Sequence, residues 1–169
     1  MVCDLEADEA DVAAATEGAD AIVFAAGAGP GSGAERKVTM DYGGAVKLID
    51  AARWNVIRRY VIVSSMGADN PPPEGGDVFG EYLRAKAAAD DKVRESGLDY
   101  TIVRPGRLTD DPGTGRIHAA ESVERGEIPR DDVAATLLAV LDAPNTVAAT
   151  FELVSGDTPV EEAVAAIGR

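Results

Sequence analysis

The chain is poor in the residues that build metal centres and cross-links. Of 169 residues one is cysteine, Cys3, and one is histidine, His118. A single cysteine excludes an internal disulfide framework and fits a reducing, cytoplasmic compartment. Two such ligands are too few for a zinc site of the Cys/His kind. No apolar run approaches the ~18 residues that a membrane-crossing helix needs, and no leader pattern is read at Met1, so a signal peptide and a membrane partner are not expected.

Basic residues are scarce as well. Sixteen Lys plus Arg stand against 30 Asp plus Glu, a net charge of −14, and only four of the sixteen are lysines. So acidic a surface repels phosphates and anionic lipid, which argues against a nucleic acid or a bilayer as partner. The acids are scattered, which reads as a solvated surface of the salt-tolerant kind rather than a patch for a basic protein. What the chain does have is core material: 46% hydrophobic and 27% charged residues. That composition belongs to a folded domain, and the length suits a single one over 1–169.

Short apolar runs alternate with longer helical patterns. Met1-Val2-Cys3 reads as the tail of a strand, followed by a helix over Asp8–Thr16 capped by Asp8. Ala21-Ile22-Val23-Phe24-Ala25 is a continuous apolar run, the pattern of a strand buried on both faces. A glycine loop, Gly27–Gly33, leads into a helix over Ala34–Arg53 with Val38, Ala45, Leu48, Ile49 and Ala52 on its inner face. Tyr60–Ser64 is the next strand, followed by a Pro/Gly loop through Pro71-Pro72-Pro73 and Gly75-Gly76. A helix over Phe79–Ser96 then stops at Gly97.

Tyr100–Arg104 is a further strand, ended by Pro105-Gly106. The loop Arg107–Pro129 holds short strands near Arg116-Ile117 and Ser122-Val123. A helix follows from Asp131-Asp132, with Val133, Leu137, Val140 and Leu141 on one face. Phe151–Val154 is the last strand and Val160–Ile167 the last helix. This alternation predicts an α/β fold with a doubly wound parallel sheet.

Such sheets bind ligands at the carboxyl ends of their strands, where loops and helix starts converge. The exits here are Asp4-Leu5, Ala26-Gly27-Ala28, Ser64-Ser65-Met66-Gly67 and Arg104-Pro105-Gly106. Small residues there let backbone come close to a nucleotide-sized ligand. The sharpest pattern is Tyr82-x-x-x-Lys86, which puts a phenol and an ammonium one helical turn apart. Four tyrosines and four lysines predict roughly 0.1 such pairs by chance. A nearby ammonium is expected to lower the phenol's pKa, so that Tyr82 can exchange a proton with a substrate oxygen while hydride moves at carbon.

Taken with Tyr82-x-x-x-Lys86, four segments resemble the atypical short-chain dehydrogenase/reductase family, in its NAD(P)H-binding, NmrA-like branch. They are Val2-Cys3-Asp4-Leu5, Asp20–Gly27, Arg59–Ala68 and Tyr100–Gly106, and in order they span nearly the whole chain. The resemblance implies a Rossmann-like sheet and NAD(P)H as cofactor. It implies Asp4 and Leu5 at the adenine, Ala26 and Gly27 at the adenosine ribose, and Pro105-Gly106 beside the carboxamide. Ser64 or Ser65 and Tyr82 would face the substrate, and Lys86 would also hold the nicotinamide ribose.

Two departures stand out. The family's first strand–helix–strand–helix unit, with its G-x-x-G-x-x-G turn, has no counterpart, and the chain opens at what reads as the third strand. The expectation is therefore a Rossmann-like domain truncated at its N terminus, with NAD and NADP undistinguished. The Ala21–Ala25 strand would then be an open edge, which predicts self-association. Second, the family often carries its catalytic serine where Met66 stands, so Ser64 and Ser65 stay alternatives. Gly29-Pro30-Gly31-Ser32-Gly33-Ala34 fits G-x-G-x-x-A, but it starts well after its strand and reads as a flexible loop, with a cover over the cofactor as the alternative.

Other polar residues read more simply. Asp90-Asp91, Asp110-Asp111, Asp131-Asp132 and Glu161-Glu162 suit helix caps and solvated faces. His118 reads as exposed and Trp54 as a packing anchor. Arg104 and Arg107 suit an anionic substrate group, Arg104 equally a neighbouring carboxylate. Three functions follow: an NAD(P)H-dependent oxidoreductase or epimerase-type enzyme with Tyr82, Lys86 and Ser65 as its catalytic groups, a catalytically silent nucleotide-sensing module, or an inactive fragment of the enzyme.

Overall fold

A computed structural model describes residues 3–29, 31–73 and 77–168. The strand tail expected at Met1-Val2, Pro30 of the glycine loop and Gly75-Gly76 lie outside the described residues. In chain order the elements begin with α1 (Glu9–Ala15), β1 (Ala21–Phe24) and α2 (Ala34–Arg36). From α2 the chain runs through a π-helical stretch (Lys37–Gly44) into α3 (Ala45–Trp54). Next come β2 (Arg59–Val63), α4 (Val78–Arg94), β3 (Asp99–Pro105), β4 (Arg107–Thr109), β5 (Arg116–Ala120) and β6 (Glu127–Pro129). The chain closes with α5 (Arg130–Leu141), β7 (Ala149–Ser155), β8 (Thr158–Pro159) and α6 (Val160–Ala166).

The sheet runs β1-β2-β3-β7-β5-β8; its first four strands are parallel, and β5 pairs antiparallel with both β7 and β8. Phe24, Ile62, Ile102 and Thr150 stand side by side across the parallel strands. Period-two alternation then divides the core. Ile22, Phe24, Tyr60, Ile62 and Ile102 pack with Leu48, Ile49, Ala89 and Val93 under α3 and α4. Val61, Val103, Phe151 and Leu153 pack with Val133, Val140 and Val164 under α5 and α6. Each valine, leucine, isoleucine or phenylalanine so buried contributes about 1.5–3 kcal/mol, and the sheet is sandwiched between the two helical layers.

Local signals set the boundaries. Asp8 caps α1 by accepting the Asp11 amide at 3.0 Å, and Asp77 caps α4 by accepting the Gly80 amide at 2.9 Å. Gly97, at φ +74°, takes the left-handed position that turns the chain from α4 toward β3. Gly106 has no room for a side chain, since a Cβ there would lie 2.4 Å from the Gly126 carbonyl oxygen.

Five expectations are corrected. Val23 is exposed, because β1 is the edge strand among the described residues. Val38 is 51% exposed while Lys37, Asp41 and Gly44 are buried. The wider π turns rotate Val38 away from the face that holds Ala45 and Leu48. Ser122-Val123 is not a strand; the pairing falls to β6, which lies parallel to β4. Trp54 is 81% exposed and anchors no packing. Asp90 and Asp132 are buried rather than solvated: Asp90 meets Arg104, and Asp132 accepts the Thr114 and Gly115 amides at 2.9 and 2.7 Å.

Candidate functional site

A cavity of about 870 Å³ opens at the carboxyl ends of β1, β2 and β3. Its walls are strand exits: Ala25 through Gly29 after β1, Ser64-Ser65 after β2, and Pro105-Gly106 at the end of β3. Tyr82 and Lys86 enter from α4, and Lys37 and Asp41 from the π-helical stretch. Ala25, Ala26 and Gly27 are exposed there and leave a low backbone platform. Thus Tyr82, Lys86, Ser65, Ser64, Ala26, Gly27, Pro105 and Gly106, all expected at one site, line one cavity.

Tyr82 and Lys86 share a face of α4, and the Lys86 Nζ lies 5.7 Å from the Tyr82 ring centroid. Lys86 is buried; its ammonium donates to the Val63 carbonyl at 3.0 Å and lies 3.3 Å from Asp41 Oδ1. Asp41 is fully buried, and its other oxygen accepts the Ala28 amide at 3.2 Å. The Asp41–Lys86 contact is an ion pair whose alignment falls short of a hydrogen bond, so Oδ1 has no hydrogen-bond donor among the described residues.

This pairing changes the expected electrostatics. Burial pushes the Tyr82 hydroxyl above the ordinary tyrosine range; the Ser65 hydroxyl beside it pulls it down, while the Asp41 and Asp90 carboxylates push it further up. Burial lowers the Lys86 ammonium, with Asp41 pulling it back up. The expectation that Lys86 lowers Tyr82 is therefore corrected. Its charge is spent on Asp41 rather than on the phenol.

The two serines of the cavity wall differ, and the remaining candidates fall elsewhere. Ser64 is buried and donates its hydroxyl to Asp90 Oδ2 at 3.0 Å, whereas Ser65 is half-buried and turns its hydroxyl to the Met66 carbonyl. Asp4 and Leu5 are not among the residues lining the cavity. Asp4 Oδ1 accepts the Glu6 amide, and Leu5 packs on the α3 core. Arg104 is committed to Asp90, at 2.7 Å, and to Asp69; Arg107 is committed to Glu127. His118 is exposed on β5.

Sequence reading missed Lys37 and Asp41. The one available signal was a carboxylate, Asp41, on the apolar face that continues through Ala45 and Leu48. The π-helical winding that turns Lys37 inward leaves no such trace.

A mainly parallel sheet with helices on both faces, and a glycine-walled cavity at its strand exits, defines a Rossmann-like dinucleotide-binding domain. The residues fit the nicotinamide-ribose end of such a ligand: the orphaned Asp41 Oδ1 and the adjacent Lys86 ammonium are an acceptor and a donor for ribose hydroxyls. Residues 1–144 match the NAD(P)H-binding family, and the chain belongs to it. YhfK of Bacillus subtilis, named an uncharacterized sugar epimerase, is 43% identical over 164 residues, 97% of this chain and 76% of YhfK. A candidate NAD-dependent epimerase/dehydratase from Bacillus halodurans superposes with a TM-score of 0.89 at 40% identity, over 97% of this chain and 76% of its own. ChuY, an anaerobilin reductase from Escherichia coli O157:H7, superposes at 0.75 with 30% identity, over 91% of this chain and 73% of its own. No helix among the described residues is long and apolar enough to cross a membrane.

Proposed function

We propose that the chain is an NAD(P)H-dependent oxidoreductase of the short-chain type, acting on a small carbonyl or hydroxyl substrate. The observation that carries this reading is the convergence of Tyr82, Ser65 and Lys86 on one cavity at the strand exits. The dinucleotide, when bound, supplies or takes the hydride. Tyr82 gives its hydroxyl proton to the substrate oxygen as charge gathers there, and Ser65 donates a hydrogen bond to the same oxygen. Lys86 holds the nicotinamide ribose. A carbonyl becomes an alcohol once its carbon has the hydride and its oxygen the Tyr82 proton, and Tyr82 then recovers a proton from water. Burial keeps Tyr82 protonated, which suits reduction better than oxidation. The names reductase and epimerase among its relatives are both compatible with hydride movement at a carbinol carbon.

Along the rest of the cofactor, Ala26 and Gly27 line the adenosine ribose, Pro105-Gly106 pass the carboxamide, and Asp4 and Leu5 serve the adenine end. The setting we propose is cytoplasmic, in keeping with the exposed free thiol of Cys3. Self-association through the outer edge of β1, which has no strand partner among the described residues, belongs to the same proposal; a monodisperse monomer in light scattering overturns that part.

The test is NADH or NADPH consumption with a panel of aldehydes, diketones and sugars. Tyr82→Phe abolishes turnover while cofactor affinity stays similar; unchanged turnover refutes the assignment. The second reading is a dinucleotide-sensing module without catalysis, favoured by the Asp41–Lys86 pair, which neutralises the charge a phenolate needs. Binding without turnover across the panel supports it.

A further inference from the structure

The proposed reaction leaves one buried charge in the cavity without a task. Lys37 is 8% exposed and lines the cavity wall. Its ammonium donates to the Gly29 carbonyl at 2.7 Å and stands 5.4 Å from the centroid of the Tyr82 ring, close to the matching separation of Lys86. An ammonium has three hydrogens to donate, and one carbonyl uses a single one.

Charge accounting isolates the same residue. The cavity wall carries Lys37, Lys86 and Arg130 against one carboxylate, Asp41. Lys86 is paired with Asp41 and Arg130 with Asp110, whereas Lys37 has no carboxylate partner among the described residues. A withdrawn cation held by one neutral oxygen is costly, and an anion arriving from the cavity offsets that cost. In a chain of net charge −14 with four lysines, two of the four meet at this one tyrosine. The rim beside them is apolar, formed by the exposed side chains of Val78, Phe79 and Leu108.

We propose that Lys37 is an anion-binding subsite of the substrate pocket, and that the substrate is a carbonyl compound bearing a carboxylate beside the reacting group and an apolar body toward the rim. This rests on Tyr82 being the proton donor, because it is the position of Lys37 against Tyr82 that places the carboxylate next to the reacting oxygen. A phosphate of the dinucleotide has the same chemistry as a ligand, but the lysine flanks the reacting tyrosine, and the carboxylate of the substrate is the source assigned here.

Benzoylformate and its neutral methyl ester separate the cases, titrated calorimetrically into the full chain with and without NADPH. The wild-type chain binds the acid about tenfold to a hundredfold more tightly than the ester. Lys37→Met erases that preference, and Lys37→Arg, which keeps the charge, retains it. Equal affinity for acid and ester in the wild-type chain overturns the proposal, even if Lys37→Met fails to fold. A Lys37→Met variant that keeps its acid preference but loses NADPH affinity also overturns it and assigns the lysine to the cofactor. Turnover keeps the two readings apart. Reduction of the ester with no acid preference sinks the subsite alone, whereas Lys37-dependent binding of the acid with no reduction of either compound or of any member of the panel leaves Lys37 an anion site and sinks the oxidoreductase reading.

Discussion

Lys86 Nζ lies 3.3 Å from Asp41 Oδ1, with 4% and 0% of the two side chains exposed. One partner comes from α4 and the other from the π-helical stretch, so the pair ties the helix bearing Tyr82 to the segment that follows the glycine loop. Two opposite charges withdrawn from water depend on one another: either alone is stranded in a medium that solvates it poorly.

Asp41→Leu and Lys86→Met are each expected to cost roughly 3–5 kcal/mol of stability, since each leaves an uncompensated buried charge. Combining them recovers most of the loss. Urea denaturation of the two single variants and the double variant checks this, and additive losses in the double variant contradict it.

Tyrosine titration gives a second prediction. Burial holds the hydroxyls of Tyr60 and Tyr82 above the ordinary range. The unfolded chain releases these protons near pH 10 and the folded chain later. Between the two the folded state holds more protons, so these groups make stability fall as pH rises through that window. Lys86 acts oppositely: its folded value is depressed, so the folded state holds fewer protons just below the ordinary lysine value and gains stability there as pH rises. Ultraviolet absorbance of tyrosinate is expected to develop at higher pH in the folded chain than in urea, with the delayed part reduced in Tyr82→Phe.

The two serines at the end of β2 are predicted to divide their roles. Ser64 donates to the buried Asp90 carboxylate, and hydrogen bonds to charged groups contribute about 1.5–3 kcal/mol. Ser64→Ala is expected to lower stability by that order while leaving the Tyr82 environment in place. Ser65→Ala is expected to lower turnover with little change in thermal midpoint. Steady-state kinetics beside thermal melts separate them, and the reverse pattern exchanges the assignment.

Val56 offers a stabilising change. α3 ends in a turn where the Val56 amide donates to the Arg53 carbonyl and the Ile57 amide to the Ala52 carbonyl, the hydrogen-bond pattern of a Schellman cap. The left-handed position of that cap is held by Val56 at φ 59°, a residue 82% exposed. Valine pays for this conformation with a clash that glycine and asparagine avoid, about 1–2 kcal/mol. Val56→Asn is expected to raise the urea midpoint by about 1 kcal/mol equivalent, and a lower midpoint contradicts the strain.

The architecture was legible because its signals are local. Apolar runs such as Tyr60–Val63 mark buried parallel strands, Asp8 starts a helix and Gly97 ends one, and the strand exits at Ala26-Gly27, Ser64-Ser65 and Pro105-Gly106 line one cavity. Tyr82 and Lys86 were legible too, since a helix repeats within their spacing. The irregular stretch between β3 and α5 was read less well, because β4 and β6 are three residues each and form only by meeting one another.

By itself the sequence determined the doubly wound fold, its family and the helix face that carries Tyr82 and Lys86, all consequences of periodicity and residue order. The electrostatic state of that face was decided by tertiary structure. Lys37 and Asp41 reach the cavity through a locally widened helix, and the partner of Lys86 comes from 45 positions earlier in the chain. Composition and spacing carry no record of how deeply a group is buried or which charges meet once water is excluded, and it is burial first and those meetings second that set whether the Tyr82 phenol or the Lys86 ammonium holds its proton.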